Sequence, residues 1–95
     1  MSPEGYEKRD IKNYLASLGS DCWFFSPYMA GFGKTGVPDL CGVWRGSAFT
    51  IEVKRPGKEP TELQWRRIRE IRAAGGRAFW GTADKVIGEF KAWIS

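Results

Sequence analysis

Two strand-like runs joined by a short glycine turn constrain the fold more than any other feature of this sequence. The runs are Asp39–Trp44 and Ala48–Lys54, and Arg45-Gly46-Ser47 lies between them. Apolar and β-branched runs on either side of a short glycine-containing turn are typical of a β-hairpin. We therefore expect the middle of the chain to form two antiparallel strands.

The rest of the chain shows three helical patterns and two further short strands. Ser2 followed by Pro3 is typical of a helix start, and apolar residues at helical spacing predict a first helix from about Pro3 to Leu18. We predict strands at 22–25 and 78–80, a second helix that opens with a capping box of Thr61 and Gln64, and a last helix that begins at Thr82 or Asp84. The glycine-rich segment from Pro27 to Pro38 is predicted to be a functional loop. The expected fold class is α/β: one domain over 1–95 with a mixed central sheet flanked by helices, in the order αβββαβα.

Composition narrows the chemistry that the chain can perform. The 95 residues include 15 Lys and Arg against 11 Asp and Glu, and the net charge of +4 is compatible with a polyanionic partner. The absence of histidine excludes Ser-His-Asp and Cys-His nucleophiles and His-ligated zinc. Two cysteines are too few for a disulfide framework, so we expect a reducing, cytoplasmic location. No apolar run approaches a membrane span, so we expect no membrane partner.

Two acids and a lysine are predicted to meet at the open end of the hairpin. Glu52 and Lys54 share one face of the second strand, because side chains two apart point the same way. A two- or three-residue turn pairs positions that sum to about 91 to 93, which places Asp39 opposite Glu52, Val53 or Lys54. Carboxylates this close repel each other unless a cation lies between them. Oxygen-only ligation favours Mg²⁺ or Mn²⁺, which can activate water against a phosphodiester.

A simpler interpretation remains open at this point. Glu52 and Lys54 could form a solvated pair, and Asp39 could be an ordinary turn residue. Two observations favour the metal site. Pro38-Asp39 follows the glycine-rich loop. Gln64 shares a helix face with two isoleucines one and two turns later, and a glutamine on an apolar face is unusual. The capping box explains part of this placement.

Three motifs in order resemble a known nuclease superfamily. Gly36-Val37-Pro38-Asp39, Ile51-Glu52-Val53-Lys54 and Gln64 at a helix start together resemble the PD-(D/E)XK nucleases. The closer resemblance is to the VRR-NUC (virus-type replication-repair nuclease) domain in its stand-alone viral form. Glu4, ten residues before Tyr14-Leu15, also fits the first helix of that family, so the resemblance covers nearly the whole chain.

The resemblance implies a Mg²⁺- or Mn²⁺-dependent DNA endonuclease with a restriction-endonuclease-like fold. It further implies a homodimer that cleaves branched, Holliday-junction-like DNA in repair. It implies that the carboxylates of Asp39 and Glu52 and the backbone carbonyl of Val53 bind the metal. Lys54 would be the catalytic lysine, and Gln64 would support the site. Glu4, on the first helix, would also lie at the metal. Glu7, one turn after Glu4, is the alternative for the last role.

Basic and aromatic residues near the predicted site have weaker assignments. Lys34, Arg55 and Lys58 border it on loops and could hold phosphates, or could simply be solvated. Aromatic and methionine side chains in the glycine-rich loop could stack on bases or fasten the loop to the protein: Tyr28, Met29 and Phe32. Among the tryptophans we predict three core positions, at 23, 44 and 80, and two that could flank a dimer contact, at 65 and 93.

Two other functions compete with the structure-specific nuclease. A non-catalytic, basic nucleic-acid-binding module on the same fold would bind DNA without cutting it, although the full set of site residues speaks against this. A sequence-specific restriction-type nuclease would need recognition loops or insertions, and the chain has little sequence to spare for them.

Overall fold

The structure, a computed structural model, describes residues 1–27 and 36–95 and contains the predicted order of elements. The helices and strands are α1 (Pro3–Ser17), β1 (Cys22–Phe25), β2 (Leu40–Trp44), β3 (Ser47–Val53), α2 (Glu62–Ala73), β4 (Arg77–Gly81) and α3 (Ala83–Ile94), with a short 3₁₀ turn at Gly19–Asp21 before β1. The predicted order αβββαβα is therefore confirmed. Part of the predicted loop, 28–35, lies outside the described residues.

The hairpin register is set by a two-residue turn. Arg45 and Gly46 both have positive φ angles, 44° and 85°, as a tight turn between antiparallel strands requires. Leu40 consequently pairs with Ile51, and the paired positions sum to 91. Asp39 and Lys54 lie just outside the two strands, so each predicted strand is one residue longer at its open end than the strand observed.

The four strands form a mixed sheet in the order β1-β2-β3-β4. The first two pairs are antiparallel and β3 pairs with β4 in parallel. α1 and α3 pack against each other and on one face, where Phe79 contacts Phe90. α2 packs on the other face at β4, where Trp65 contacts Trp80, because successive strand residues point to opposite faces. Helices therefore cover both sides of the sheet, as predicted.

The core lies between the sheet and the α1–α3 pair. Phe49, Ile51 and Val53 are all buried on this face, as their alternation predicts. Phe90 of α3 lies at its centre, with its ring 5.0 Å from that of Phe49 in an edge-to-face arrangement. This packing fixes β3, and with it the side chains that project from the opposite face.

Side chains at the helix starts satisfy backbone groups there. The Ser2 hydroxyl accepts a hydrogen bond from the Gly5 amide, and the Thr82 hydroxyl accepts one from the Lys85 amide. The last helix therefore begins at the first of the two predicted caps. In the described part of the chain, every helix falls short of the length and apolar character needed to cross a membrane.

The core prediction is wrong for one tryptophan. Trp23 is 64% exposed. It lies on edge strand β1, whose neighbour Phe24 packs toward the core, so Trp23 points to the α2 side of the sheet. α2 contacts the sheet mainly at β4, three strands away. Trp93, in contrast, packs within the chain against Phe49 and Phe79.

Candidate active site

Asp39 is held against the end of β3 by its own side chain. Its carboxylate oxygen Oδ2 accepts a hydrogen bond from the Val53 amide, with a length of 2.8 Å. The β2–β3 register brings the two residues together, because Leu40, next to Asp39, pairs with Ile51. The sequence expectation that Asp39 lies opposite this end of β3 is therefore correct.

Glu52 and Lys54 are both buried. Their exposed fractions are 6% and 8%, which excludes the interpretation of a solvated surface pair. The Lys54 amide donates a 2.8 Å hydrogen bond to the Gly81 carbonyl, so the parallel pairing with β4 continues past the end of β3. Buried charged groups require partners, and both Asp39 and Lys54 act electrostatically on the buried Glu52.

Asp39 changes the proton affinity of its neighbour Glu52. Burial, a hydrogen bond with Asp39 and the charge of Asp39 raise the pKa of Glu52 to about 9, against a smaller opposing effect of Lys54. Glu52 therefore carries a proton at neutral pH in the metal-free protein. A divalent cation would replace that proton and remove the repulsion between the carboxylates.

The available donors fit a hard metal ion held partly by water. Asp39 and Glu52 supply carboxylate oxygens, and the Val53 carbonyl is adjacent. Within residues 1–27 and 36–95, no group of three or more His, Cys, Asp or Glu side chains is placed to hold a metal. Mg²⁺ usually keeps several waters and needs only one or two carboxylates, so this sparse set of donors suits it.

The structure distinguishes between the two helix-one glutamates. Glu4 lines a cavity of about 370 Å³ together with Lys54, and its charge also raises the pKa of Glu52. Glu7 instead accepts a 2.8 Å hydrogen bond from the Ala83 amide at the start of α3. The site thus includes Glu4, whereas Glu7 joins α1 to α3. A metal-binding role for Glu4 stays a prediction.

Gln64 lies at the start of α2 in the predicted capping box. Its side-chain Oε1 accepts from the Thr61 amide at 2.9 Å, and the Gln64 amide donates to the Thr61 hydroxyl at 3.3 Å. Thr61 lines the same cavity as Lys54. The oxygen of Gln64 is therefore engaged by the helix start, and its predicted support of the site stays a prediction.

Two of the three predicted phosphate contacts border the cavity. Arg55 and Lys58 line it, and both also line a neighbouring cavity of about 340 Å³ beside Trp80. The turn that carries them contains Gly57 with a φ of 82°. The third contact, Lys34, lies outside the described residues, as do the predicted roles of Tyr28, Met29 and Phe32.

Sequence reasoning missed two residues beside Asp39: Ser26 contacts its backbone carbonyl, and Lys8 contacts Ser26. Ser26 donates its hydroxyl proton to the Asp39 carbonyl at 3.0 Å, and the Lys8 ammonium donates to the Ser26 hydroxyl at 2.7 Å. These residues come from three separate segments, so no local spacing in the sequence signals the contact.

Comparison with known proteins assigns the fold. No family model and no curated protein matches the chain. A solved structure described as a VRR_NUC domain superposes with a TM-score of 0.81 over 96% of this chain and 97% of that one, at 23% sequence identity. The chain has the VRR_NUC fold. The resemblance seen in the motifs is thus confirmed at the level of the fold, and Asp39, Glu52 and Lys54 lie together within that VRR_NUC fold.

Proposed function

We propose that this protein is a Mg²⁺- or Mn²⁺-dependent endonuclease that hydrolyses phosphodiester bonds in DNA. One observation carries the proposal: Asp39 lies close enough to the buried Glu52 to raise its pKa, and the buried Lys54, two residues after Glu52, lines a cavity. A structural role alone does not account for two adjacent carboxylates, one of them buried with a pKa of about 9.

Each residue has a defined task in this proposal. Asp39, Glu52 and the Val53 carbonyl would hold the ion, and Glu4 would reach it directly or through water. When bound, a divalent ion supplies positive charge at the phosphate and lowers the pKa of a water molecule. The Lys54 ammonium donates hydrogen bonds to that water or to a phosphate oxygen and offsets charge as it develops. Gln64 would support the site from the start of α2.

Basic residues beside the cavity favour a polyanionic substrate. Arg55 and Lys58 line the same cavity as Lys54, so a phosphate backbone lying across them would reach the site. Such contacts position the strand without reading its bases. This arrangement supports a preference for DNA structure over sequence, and we propose branched, junction-like DNA as the substrate.

We further propose that the protein acts as a homodimer joined through β1. The two edges of the sheet differ: carbonyls of β4 accept hydrogen bonds from Arg72 and Lys85, at 2.8 and 2.7 Å, whereas β1 (Cys22–Phe25) carries no charged side chain. Edge strands without charges are prone to pair with another strand. Trp23 and Phe25 on β1 are 64% and 48% exposed, and a two-fold axis beside β1 would bury both copies of them.

A cleavage panel tests the proposed activity. The protein is incubated with linear, flap and four-way DNA in Mg²⁺, Mn²⁺ or EDTA, and products are resolved on denaturing gels. We expect cleavage of branched substrates with either ion and none in EDTA. Asp39→Ala, Glu52→Ala and Lys54→Ala should each reduce the rate more than about 100-fold while the circular dichroism stays unchanged. Lys12→Ala, which removes an exposed lysine on α1, is the matched control.

The same panel separates the competing functions. Binding that weakens with salt and no cleavage with any ion would support the non-catalytic module. Cleavage of linear DNA at one defined sequence would support a restriction-type enzyme. Full activity in all three alanine variants would exclude this site.

A further inference from the structure

We propose that Ser26 and Lys8 are positioning residues for Asp39. They form a chain of hydrogen bonds that runs from the Lys8 ammonium through the Ser26 hydroxyl to the Asp39 carbonyl. The inference rests on the proposed function, because it assigns these residues to the placement of a metal-binding carboxylate. In this role Ser26 contacts only the backbone carbonyl of Asp39, and Lys8 contacts only Ser26.

The direction of both hydrogen bonds, from Lys8 to Ser26 and from Ser26 to Asp39, follows from which groups can donate and which can accept. An ammonium can only donate and a carbonyl can only accept, so the hydroxyl must accept from Lys8 and donate to Asp39. The Lys8–Ser26 bond is short, at 2.7 Å, and charge-assisted. A positive charge behind the hydroxyl makes it a stronger donor, which tightens its 3.0 Å bond to the Asp39 carbonyl.

Asp39 needs this contact because of its position in the chain. β2 begins one residue later, at Leu40, so strand pairing does not hold the Asp39 backbone. In the described part of the chain, two contacts hold it from different sides: the carboxylate bonds to the Val53 amide and the carbonyl bonds to Ser26. Without the Ser26 contact, the carboxylate would have to hold the backbone and face the ion as well.

The hydrogen bonds from Lys8 through Ser26 to Asp39 also join α1 to the site at a second point. Glu4 lines the cavity from the first turn of α1, and Lys8 lies one turn later on the same helix. α1 would therefore bring an acid to the site with one turn and fix the backbone of Asp39 with the next. A shift of α1 would disturb both contacts together.

Hydrogen exchange in the metal-free protein tests the positioning role directly. The Val53 amide reports on the Asp39 carboxylate, because it donates to that group. We expect Ser26→Ala to speed Val53 exchange about fivefold, the effect of losing roughly 1 kcal/mol of hydrogen bonding. The Ile51 amide, in the middle of β3, should exchange as in the wild type. Ser26→Thr keeps the hydroxyl and should restore wild-type exchange at Val53.

Mn²⁺ affinity, measured by calorimetry, gives a second and independent result. Ser26→Ala should weaken binding about fivefold and Lys8→Met about threefold. Lys12→Met removes the same charge one turn along α1 and should change neither exchange nor affinity. Unchanged Val53 exchange and unchanged Mn²⁺ affinity in Ser26→Ala would overturn the positioning role.

Two outcomes separate this inference from the function on which it rests. Equal acceleration at Val53 and Ile51 would mean that Ser26 only stabilises the fold, which also overturns the inference. A wild-type protein that binds no Mn²⁺ would contradict the proposed function. The exchange rates at Val53 would then still decide whether Ser26 and Lys8 fix Asp39.

Discussion

Raising the pH should destabilise the metal-free protein, and the slope can be worked out from Glu52. The pKa of Glu52 rises from 4.5 to about 9 through burial and contact with Asp39. Between these values the unfolded chain has released the proton that the folded protein keeps. The contribution of Glu52 to stability is therefore fully present below pH 4.5 and is lost as pH rises toward 9. One proton corresponds to a slope of about 1.4 kcal/mol per pH unit, or about 2.7 kcal/mol between pH 5.5 and 7.5.

Because the chain has no histidine, the range from pH 5.5 to 7.5 isolates the titration of Glu52. No other side-chain type has an ordinary pKa between 5.5 and 7.5, so a slope there reports Glu52. The assay is urea unfolding in EDTA at three pH values, followed by circular dichroism. Glu52→Gln, which is neutral at every pH and has nearly the same shape, should give a flat profile. A wild-type free energy of unfolding that stays constant over this range would refute the reasoning, as would an equal slope in Glu52→Gln.

Three further predictions follow from particular contacts. Glu4→Gln should weaken Mn²⁺ binding severalfold with little loss of stability, because Glu4 lines the cavity of the site. Glu7→Gln should lower the free energy of unfolding by about 1 kcal/mol and leave Mn²⁺ affinity unchanged, because Glu7 accepts a hydrogen bond from the Ala83 amide. The reverse pattern would contradict the assignment of the two glutamates. Gly42→Ala should destabilise the protein by about 3 kcal/mol in urea unfolding, since the new Cβ would lie 2.5 Å from the Trp23 carbonyl oxygen. An unchanged urea midpoint would show that β1 and β2 can move apart to accommodate the added methyl group without cost. If the protein forms the proposed homodimer through β1, Trp23→Glu should sediment as a monomer with the fold intact, because a charge on β1 opposes pairing between copies. A Trp23→Glu variant that still sediments as a dimer would contradict an interface at β1.

Most of the fold was predictable because its signals are local. The Arg45-Gly46 turn fixes the hairpin register through two positive φ angles, and that register brings Asp39 to β3. The cap at Thr61 fixes the start of α2 in the same way. The pattern of alternate residues also identified the buried face of β3 correctly.

The remaining features depend on contacts between distant elements. Trp23 has the sequence character of a core residue, but its exposure is decided by where α2 packs. The choice between Glu4 and Glu7 depends on the docking of α3, whose first amide engages Glu7. Ser26 meets Asp39, and Lys8 meets Ser26, only in the folded protein. Periodicity along one segment carries no information about such contacts.

An anomalous difference map from crystals soaked in Mn²⁺ is the most direct test of the metal site. The account predicts a peak roughly 2.0–2.3 Å from carboxylate oxygens of Asp39 and Glu52 and from the Val53 carbonyl oxygen, with the Lys54 ammonium nearby. The map should show no such peak for Asp39→Asn. Acids that stay in contact with each other in saturating Mn²⁺, with no anomalous density between them, would contradict it.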